Sequence, residues 1–188
     1  MPPTIFGSFR IKACAIGVVT TSRFVAHRVA NQVGNAEKVK LLRYMALLID
    51  VYKLSKPFRS ERKLPRRDEL KTILVDLPEA LLEGVRRKFT VAGSMSKQMS
   101  DSLIMHLCAM ALMVDNCELD IWDLKEDLML ETKQMMQYFM EVGAKMKILP
   151  EEKRKKMGLD KVGAAQHRIA KLVLPLVFPK VSVGRRAK

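Results

Sequence analysis

The stretch TKQMMQYFMEVGAKMKIL, residues 132–149, holds the change of hydrophobic periodicity on which the fold depends. Over residues 132–142 the apolar side chains recur at helical spacing. Gly143 then stands where the end of a helix belongs, and residues 144–149 are typical of a strand. The stretch therefore predicts a helix that passes through one glycine into a strand.

A second extended segment follows farther along the chain. Residues 150–158 predict a basic loop, and residues 169–178 form another apolar run. Pro175 and Pro179 confine this run to an edge or irregular strand, because proline cannot donate to a sheet ladder. The two runs predict a hairpin behind the helix, with the basic loop between its strands.

Working outward, apolar periodicity predicts helices along the rest of the chain. Thr21 and Ser22 are candidate caps for the first of them, and Asp68 and Asp120 stand at two later helix starts. A basic loop interrupted by prolines is expected over residues 55–67. The predicted helices cover residues 22–32, 37–54, 68–74, 79–89, 97–114 and 120–128, and residues 89–92 are expected to be extended.

Each half of the chain thus has a long helix, a short helix, a turn, a further helix and then extended chain. This order predicts a mainly α fold with small β-hairpins, and more specifically tandem winged helices, each a helix-turn-helix with a wing. We expect residues 21–93 to form the first winged-helix domain and residues 94–179 the second, with residues 1–20 unassigned and residues 180–188 a basic tail. The alternative is a plain helical bundle with an irregular C-terminus.

The basic charge of the chain is segregated. Its 34 Lys and Arg residues outnumber its 20 Asp and Glu residues, for a formal net charge of +14. Residues 1–93 have a net charge of +10 and residues 151–188 one of +8, whereas residues 94–150 have −4. Blocks of like charge are typical of proteins that bind the phosphates of a polyanion, although a solvated surface with a basic tail has the same composition.

We expect phosphate contacts from basic residues in the wing, at the end of the helix at 79–89, and in the loop before residue 68. The predicted recognition helix, residues 132–142, offers one Lys, one Glu, Gln134 and Gln137, a poor set for recognising base edges. Binding should therefore follow the nucleic-acid backbone with little sequence preference, unless the wing is only a solvated loop. The candidate DNA-binding residues are Lys153, Arg154, Lys155, Lys156, Lys161, Arg168, Lys171, Arg86, Arg87, Lys88, Arg59, Arg62, Lys63, Arg66 and Arg67.

No catalytic or metal-binding pattern stands out, so we expect no enzyme activity, no catalytic residue, no metal and no cofactor. His106, Cys108 and Cys117 imitate a metal set, but the first two lie in an apolar helix, where we interpret them as core residues. The acids between residues 115 and 127 lack the glycine and terminal glutamate of a calcium loop. We interpret these acids as helix caps and a solvated face.

Cysteine usage and hydropathy predict the compartment. Three cysteines with no paired spacing are typical of a reducing environment. The apolar run at residues 11–21 is too short to span a bilayer. We therefore expect a soluble intracellular protein with no membrane partner.

Several segments resemble a known family. They are KVKLLRYMALLI at residues 38–49, DNCELD at residues 115–120, the later Leu124 and Asp127-Leu128, and FMEVGA at residues 139–144. Together they resemble the C-terminal half of the RNA polymerase I subunit family called polymerase-associated factor fifty-three in vertebrates and the forty-nine-kilodalton subunit in yeast. The resemblance covers residues 22–179 and rests on distributed apolar positions.

The resemblance implies a tandem winged-helix module similar to that in the beta chain of general transcription factor E. It implies DNA binding near the polymerase cleft and RNA polymerase I core subunits as partners. It also implies a non-catalytic role in initiation, promoter escape and elongation on rRNA genes, in the nucleus and nucleolus. No segment resembles the family's N-terminal dimerisation domain, so the resemblance gives no basis for predicting a heterodimer with the family's partner subunit.

Two classes of function are consistent with these observations. The first is a DNA-binding transcription module of RNA polymerase I. The second is a protein-interaction scaffold of a nuclear complex, in which the winged helices dock a partner and the basic blocks only keep the chain soluble. The property that separates them is whether the basic blocks converge on one face.

Overall fold

The structure is a computed structural model that describes residues 11–13, 18–20, 22–32, 34–74, 77–176 and 178–179. Thr21, one of the two candidate caps of the first helix, and the predicted basic tail at residues 180–188 lie outside these residues. The described chain is mainly helical with small antiparallel sheets, as the sequence predicts.

The helices and strands are numbered in chain order, and a 3₁₀ turn, Ala30–Gln32, continues the first helix. The helices are Arg23–Val29 (α1), Ala36–Leu54 (α2), Arg67–Ile73 (α3), Glu79–Phe89 (α4), Lys97–Val114 (α5), Trp122–Leu128 (α6), Thr132–Glu141 (α7), Glu151–Lys156 (α8) and Lys161–Gln166 (α9). The strands are Ile11–Ala13 (β1), Val18–Thr20 (β2), Lys56–Phe58 (β3), Glu61–Lys63 (β4), Ser94–Met95 (β5), Glu118–Asp120 (β6), Ala144–Ile148 (β7) and Arg168–Leu172 (β8).

The longer helices begin and end where the apolar periodicity predicts. α4 and α5 cover the predicted residues, and α2 and α7 each differ from the prediction by one residue at one end. At the start of α5 the Ser96 hydroxyl accepts the N–H of Met99 at 3.3 Å, the usual N-cap arrangement. After α7, Gly143 takes a positive φ of 96°, a conformation that favours glycine at the end of a helix.

Two short helices begin differently from the prediction. α3 begins at Arg67, so Asp68 lies within its first turn instead of capping it. Ile121 is the N-cap of α6, while the Asp120 carboxylate accepts the N–H of Trp122 at 3.0 Å. Both carboxylates lie near the positive end of a helix, where negative charge is favoured, but neither is the cap residue.

The predicted basic loop at residues 55–67 contains a β-hairpin instead. β3 and β4 pair antiparallel through a connection made by Arg59 and Ser60, and β5 adds a third strand beside β4. Pro57 is compatible with β3 because this strand lies at the edge of the sheet. Arg59 has a positive φ of 56° in the turn. Glycine is the usual residue at such a position, and its absence is why the sequence does not predict the hairpin.

The prediction of a loop at residues 150–158 is also wrong, because α8 occupies most of this segment. Pro150 is the N-cap of α8 and does not break it. Glu151 and Glu152 lie in the first turn and four basic residues lie in the last, so both ends suit the helix dipole. The basic run therefore lies on an ordered helix.

β7 and β8 form the predicted hairpin between residues 144 and 178, with Ala144 opposite Leu172. β6 pairs with the other edge of β8, which makes β8 the central strand of a sheet in the order β6-β8-β7. The predicted second apolar run is a strand only as far as Leu172, and irregular chain follows it.

Most of the buried apolar side chains of the described residues form one continuous core. It runs from Phe24 on α1 to Ala170 on β8, and α2 packs against α5 within it. Ser94 and Met95 of β5 pair with β4, so backbone hydrogen bonds join the chain across the predicted boundary at residues 93–94. The division into two domains stays a prediction.

A buried carboxylate on α6 bonds α1 to the second half of the chain. Asp127 is 3% exposed and accepts hydrogen bonds from the Ser22 hydroxyl at 2.6 Å and from the N–H groups of Arg23 and Phe24 at 2.9 and 3.0 Å. The ammonium of Lys53 lies 3.2 Å from the same carboxylate. Asp127 thus satisfies the N–H groups of Arg23 and Phe24 at the start of α1. Among the acids interpreted as helix caps and a solvated face, Asp127 is a buried cap and does not lie on a solvated face.

Candidate nucleic-acid interface

The candidate DNA-binding residues lie around two different sheets. Those of the first half lie on the β3–β4 hairpin, at the start of α3 and at the end of α4. The N–H of Leu64 donates to the carbonyl of Gly93 at 3.0 Å, so the chain that leaves the hairpin and the chain that follows α4 are adjacent. Those of the second half lie on α8, α9 and β8, and β8 is the central strand of the sheet β6-β8-β7.

The basic residues that end α8 are here called the α8 cluster: Lys153, Arg154, Lys155 and Lys156. Arg154 and Lys155 both lie close to Glu151, one turn earlier, at 3.5 and 3.6 Å. Exposed ion pairs of this kind contribute little to stability and exchange readily with solvent. No acid in the described part of the chain pairs with Lys156. The cluster therefore retains most of its positive charge for an external anion.

One acid on β6 partly neutralises the basic surface of the second half. Glu118 accepts a hydrogen bond from the Lys171 ammonium at 2.7 Å and lies 3.8 Å from that of Lys153. The hydrogen bond and charge of Lys171, with smaller contributions from Lys153 and Lys147, lower the pKa of Glu118 below its usual value. Glu118 therefore stays ionised and occupies two of the candidate residues, Lys171 and Lys153.

Replacing Glu118 with Gln is expected to strengthen DNA binding by about two- to fivefold at moderate salt, because Lys171 and Lys153 lose their acidic partner. Fluorescence anisotropy with a labelled duplex measures the change. The matched control is Glu152→Gln on α8, since no basic residue of the described chain forms an ion pair with Glu152. Equal effects of the two substitutions would show that only net charge matters, and a weaker Glu118→Gln complex would contradict the prediction.

The two remaining candidates of the second half are Arg168 and Lys161. Arg168 is half-buried on β8, and its backbone carbonyl accepts the N–H of Ile121 at 3.0 Å. The side chain of Lys161 lies outside the part of the chain that is described.

In the first half, the Arg62 guanidinium caps the end of a helix. It donates to the carbonyls of Tyr52 and Ser55 at 3.1 and 2.8 Å, and to the Ser55 hydroxyl at 2.8 Å. It also lies over the Tyr52 ring, 4.2 Å from the centroid. These contacts satisfy carbonyls at the C-terminus of α2 and leave Arg62 few donors for a phosphate.

Two other candidates of the first half, Arg67 and Arg86, form ion pairs with acidic residues. Arg67 contacts Glu79 at 2.6 Å and Glu83 at 2.9 Å, and Arg86 lies 3.6 Å from Glu83. Hydrogen bonds from Lys71 and Arg67 lower the pKa of Glu79. By contrast, no acid in the described segments pairs with five other candidates, and these five are exposed. They are Arg59, Lys63, Arg66, Arg87 and Lys88.

The candidate recognition helix α7 uses its polar side chains within the protein. Gln134 caps the start of the helix through the N–H of Glu131 at 3.4 Å, and Gln137 donates to Glu141 at 3.1 Å. The Tyr138 hydroxyl donates to Asp101 at 2.5 Å, and burial with this bond raises the pKa of Tyr138. These contacts agree with the expectation that α7 is a poor reader of base edges.

A cleft of about 600 Å³ lies beside α8, and sequence reasoning missed it. Trp122 lines it and stacks on His167 with ring centroids 4.6 Å apart, and His167 Nδ1 lies 2.6 Å from Asp120. Two further acids in its wall, Asp115 and Asp123, pair with the Arg28 guanidinium on α1. The acids Asp115, Asp120 and Asp123 in the wall of the cleft are thus already paired with basic side chains of the protein. No group of side chains that could hold a metal ion occurs among the described residues.

The buried thiol of Cys108 packs in the core. Its sulfur lies 4.0 Å from that of Met135, and burial raises the pKa of the thiol well above its usual value. His106, two residues away, meets the edge of the Phe89 ring with centroids 5.4 Å apart. Within the described ranges, no helix combines the length and apolar character needed to cross a membrane.

The fold and surface define a basic, mainly helical module whose most prominent chemical groups are clustered, exposed cations. The chain belongs to the family described as A49-like RNA polymerase I associated factor, which it matches over residues 12–179. This match confirms the resemblance found in the sequence.

Two proteins that are similar in sequence to this chain support the assignment to this family. The chain is 35% identical over 131 residues to the DNA-directed RNA polymerase I subunit rpa49 of Schizosaccharomyces pombe, which covers 67% of this chain and 31% of the relative. It is 25% identical over 175 residues to the DNA-directed RNA polymerase I subunit RPA49 of Saccharomyces cerevisiae, which covers 86% of this chain and 40% of the relative. The chain thus spans less than half the length of either relative.

Proposed function

We propose that the chain is a DNA-binding, tandem winged-helix module of an RNA polymerase I subunit. Both relatives are named as RNA polymerase I subunits, which supports a role in transcription in association with the polymerase core. The family is described as an associated factor, which supports a non-catalytic role. By the same relationship the module acts in the nucleus and nucleolus, in initiation, promoter escape and elongation on rRNA genes.

The order of elements supports a winged helix in the second half. From α5 to β8 the chain runs helix, strand, helix, helix, strand, then the two short helices α8 and α9, and a final strand, with β8 between β6 and β7. In this arrangement α7 is the recognition helix, and the segment between β7 and β8 is the wing. The first half has a related order from α2 to β5, but its hairpin precedes α3 and α4 and a single short strand follows them.

The observation that carries DNA binding is the α8 cluster. Four basic side chains lie together on one ordered helix of the proposed wing, and three of the four residues are exposed. Exposed Lys and Arg side chains bind phosphates, whereas α7 has its Gln side chains engaged in the helix itself. The module therefore binds the backbone of DNA with little preference for sequence.

A salt titration of the affinity for DNA tests this proposal. If the module neutralises about five phosphates, the logarithm of the association constant falls with the logarithm of salt concentration at a slope of roughly −4 to −5. Duplexes of unrelated sequence should give the same slope and similar affinities. A salt-independent affinity, or a strong preference for one sequence, would contradict backbone binding.

A protein-interaction scaffold is the second candidate function. It is favoured by apolar side chains that remain in contact with solvent after β8, with exposures of 81% for Leu174, 42% for Leu176 and 58% for Phe178. In this case the wild-type chain on its own would not bind DNA. A variant in which the charges of the α8 cluster are reversed would still bind the polymerase core.

A further inference from the structure

The outer face of the β3–β4 hairpin carries an exposed aromatic ring among cations. Phe58 lies opposite Glu61 and Lys56 lies opposite Lys63, and side chains directly across an antiparallel pair share one face. These four residues are here called the hairpin face, and all are exposed. Phe58 is 47% exposed, so one side of its ring is open to a ligand.

Cations surround the ring. The Lys63 ammonium lies 3.8 Å from the Phe58 centroid, and the guanidinium carbon of Arg59 lies 5.6 Å from it. No acid in the described part of the chain pairs with Lys56, Arg59 or Lys63, and Glu61 is the only acid on the hairpin itself. An aromatic surface next to unpaired cations is the combination with which proteins bind single-stranded nucleic acid, because the ring stacks on a base and the cations bind the flanking phosphates.

The inner face of the hairpin holds this surface in place. Arg62 lies on the opposite side from Phe58, where its guanidinium bonds to the end of α2. The hairpin is therefore anchored at its base before any ligand arrives, and its outer face needs little rearrangement on binding.

The turn gives an independent reason to expect a function. Arg59 adopts a φ of 56°, a conformation for which glycine is the favoured residue. A charged residue kept in a conformation that costs energy is typical of a functional position. At this tip the guanidinium is exposed, close to the Phe58 ring and free of any acid among the described residues.

We propose that the hairpin face binds a single strand of nucleic acid, with Phe58 stacked on one unpaired base and Lys56, Arg59 and Lys63 on the adjacent phosphates. The proposal rests on the proposed function, since it assumes nucleic-acid binding, and it adds a second site distinct from the α8 cluster. A single strand fits better than a duplex, because a base in a duplex has both its faces covered by its neighbours. The excess of cations over acids on the hairpin favours a polyanion over a protein partner.

The test compares strands that differ only in their bases. Three DNA probes are used: oligothymidylate, a duplex, and an abasic strand that has the same length and the same phosphates as oligothymidylate. Oligouridylate is the fourth probe and separates binding to RNA from binding to DNA. In Phe58→Leu the affinity for oligothymidylate is expected to fall on the order of tenfold, because leucine is apolar but has no π-face. Affinity for the strand without bases and for the duplex should not change, and Phe58→Trp should restore binding.

Controls keep the outcomes distinct. Ile148→Ala changes another exposed apolar side chain, 72% exposed, on β7 and should leave all affinities unchanged. If the wild-type chain binds the duplex and Phe58→Leu binds every probe as the wild type does, the inference is wrong and the proposed function stands. If the wild-type chain binds no probe, the proposed function fails as well. If Phe58→Leu weakens only binding to the polymerase core, the hairpin face is a protein contact and the inference is again wrong.

A second variant tests the turn separately from the ring. Arg59→Gly relieves the left-handed conformation, so the Tm should be unchanged or raised, while affinity for the strand without bases should fall about two- to fivefold with the loss of one phosphate contact. Unaltered affinity for that strand would exclude Arg59 from the site. A lower Tm would show that Arg59 supports the fold and would remove the argument from the turn.

Discussion

Reversing the charge of the α8 cluster, by replacing Lys153, Arg154, Lys155 and Lys156 with Glu, is expected to lower the affinity for DNA by at least about a hundredfold. Four attractions to phosphates become four repulsions, and no buried apolar side chain changes, because α8 has no buried residue. The loss should be the same for duplexes of unrelated sequence. Anisotropy titrations of wild type and variant at one fixed salt concentration measure it.

The matched comparison is the double variant Gln134→Ala and Gln137→Ala on α7. We expect it to bind DNA as the wild type does, because these side chains bond within their own helix. Circular dichroism must first show that both variants are folded, since acidic residues at the end of α8 oppose its dipole. If the α7 variant loses DNA binding while the α8 variant retains it, the module recognises bases through its helix and backbone binding is wrong.

Replacing Asp127 with Ala is expected to lower the free energy of unfolding by about 3–5 kcal/mol, the usual cost of removing one partner from a buried charged network. The Ser22 hydroxyl and the N–H groups of Arg23 and Phe24 would lose their common acceptor. Urea denaturation followed by circular dichroism measures the change, with an unchanged m-value as the sign that the unfolding reaction is the same.

Two variants test the origin of this effect. Glu126→Ala removes the neighbouring carboxylate, which is half-buried and pairs with the buried Lys125 at 2.9 Å. It should cost less than Asp127→Ala, because Glu126 caps no helix and Lys125 keeps its contact with the Trp122 ring. Ser22→Ala removes one donor and a helix cap, and should cost about 1 kcal/mol. Equal losses for Asp127→Ala and Glu126→Ala would mean that Asp127 acts only through net charge.

The sequence predicted the elements whose signals are local. α4 and α5 were located by apolar periodicity, and Pro78 and Ser96 stand at their starts, where the Ser96 hydroxyl caps the first turn of α5. The hairpin of β7 and β8 was predicted for a similar reason, since Gly143 ends α7 and an alternating run follows. Each of these signals lies within a few residues of the element that it specifies.

The errors arise where a residue has a role that its type does not reveal. Pro150 looks like a helix breaker, yet in α8 it precedes the first turn, where its missing N–H has no cost. Arg59 occupies a turn position at which a glycine would have predicted the β3–β4 hairpin. The proximity of α8 to the Trp122–His167 stack depends on how distant segments pack, and periodicity contains no information about that.

The sequence predicted which basic residues belong to the candidate site, but not how they and their neighbours are arranged in it. The basic residues were identified by charge alone, and charge does not distinguish Lys156, which has no acidic partner among the described residues, from Arg62, which caps α2. Nor does it show that Glu118 lies between two of the candidates. Phe58 was missed because the residue type does not show whether an aromatic side chain is exposed or buried.

The bond between Ser22 and Asp127 spans 105 residues, and this span has a consequence for how the protein is made. Synthesis proceeds from the N-terminus, so α1 leaves the ribosome long before the carboxylate that caps it exists. Until α6 has emerged, the N–H groups of Arg23 and Phe24 lack this acceptor and bond to water, whereas the N–H of Val25 can already bond to the Ser22 hydroxyl. Phe24 also lacks part of the core that later surrounds it. The last folding step of α1 therefore waits for the second half of the chain, and a nascent chain stalled before α6 would expose α1 to chaperones and proteases.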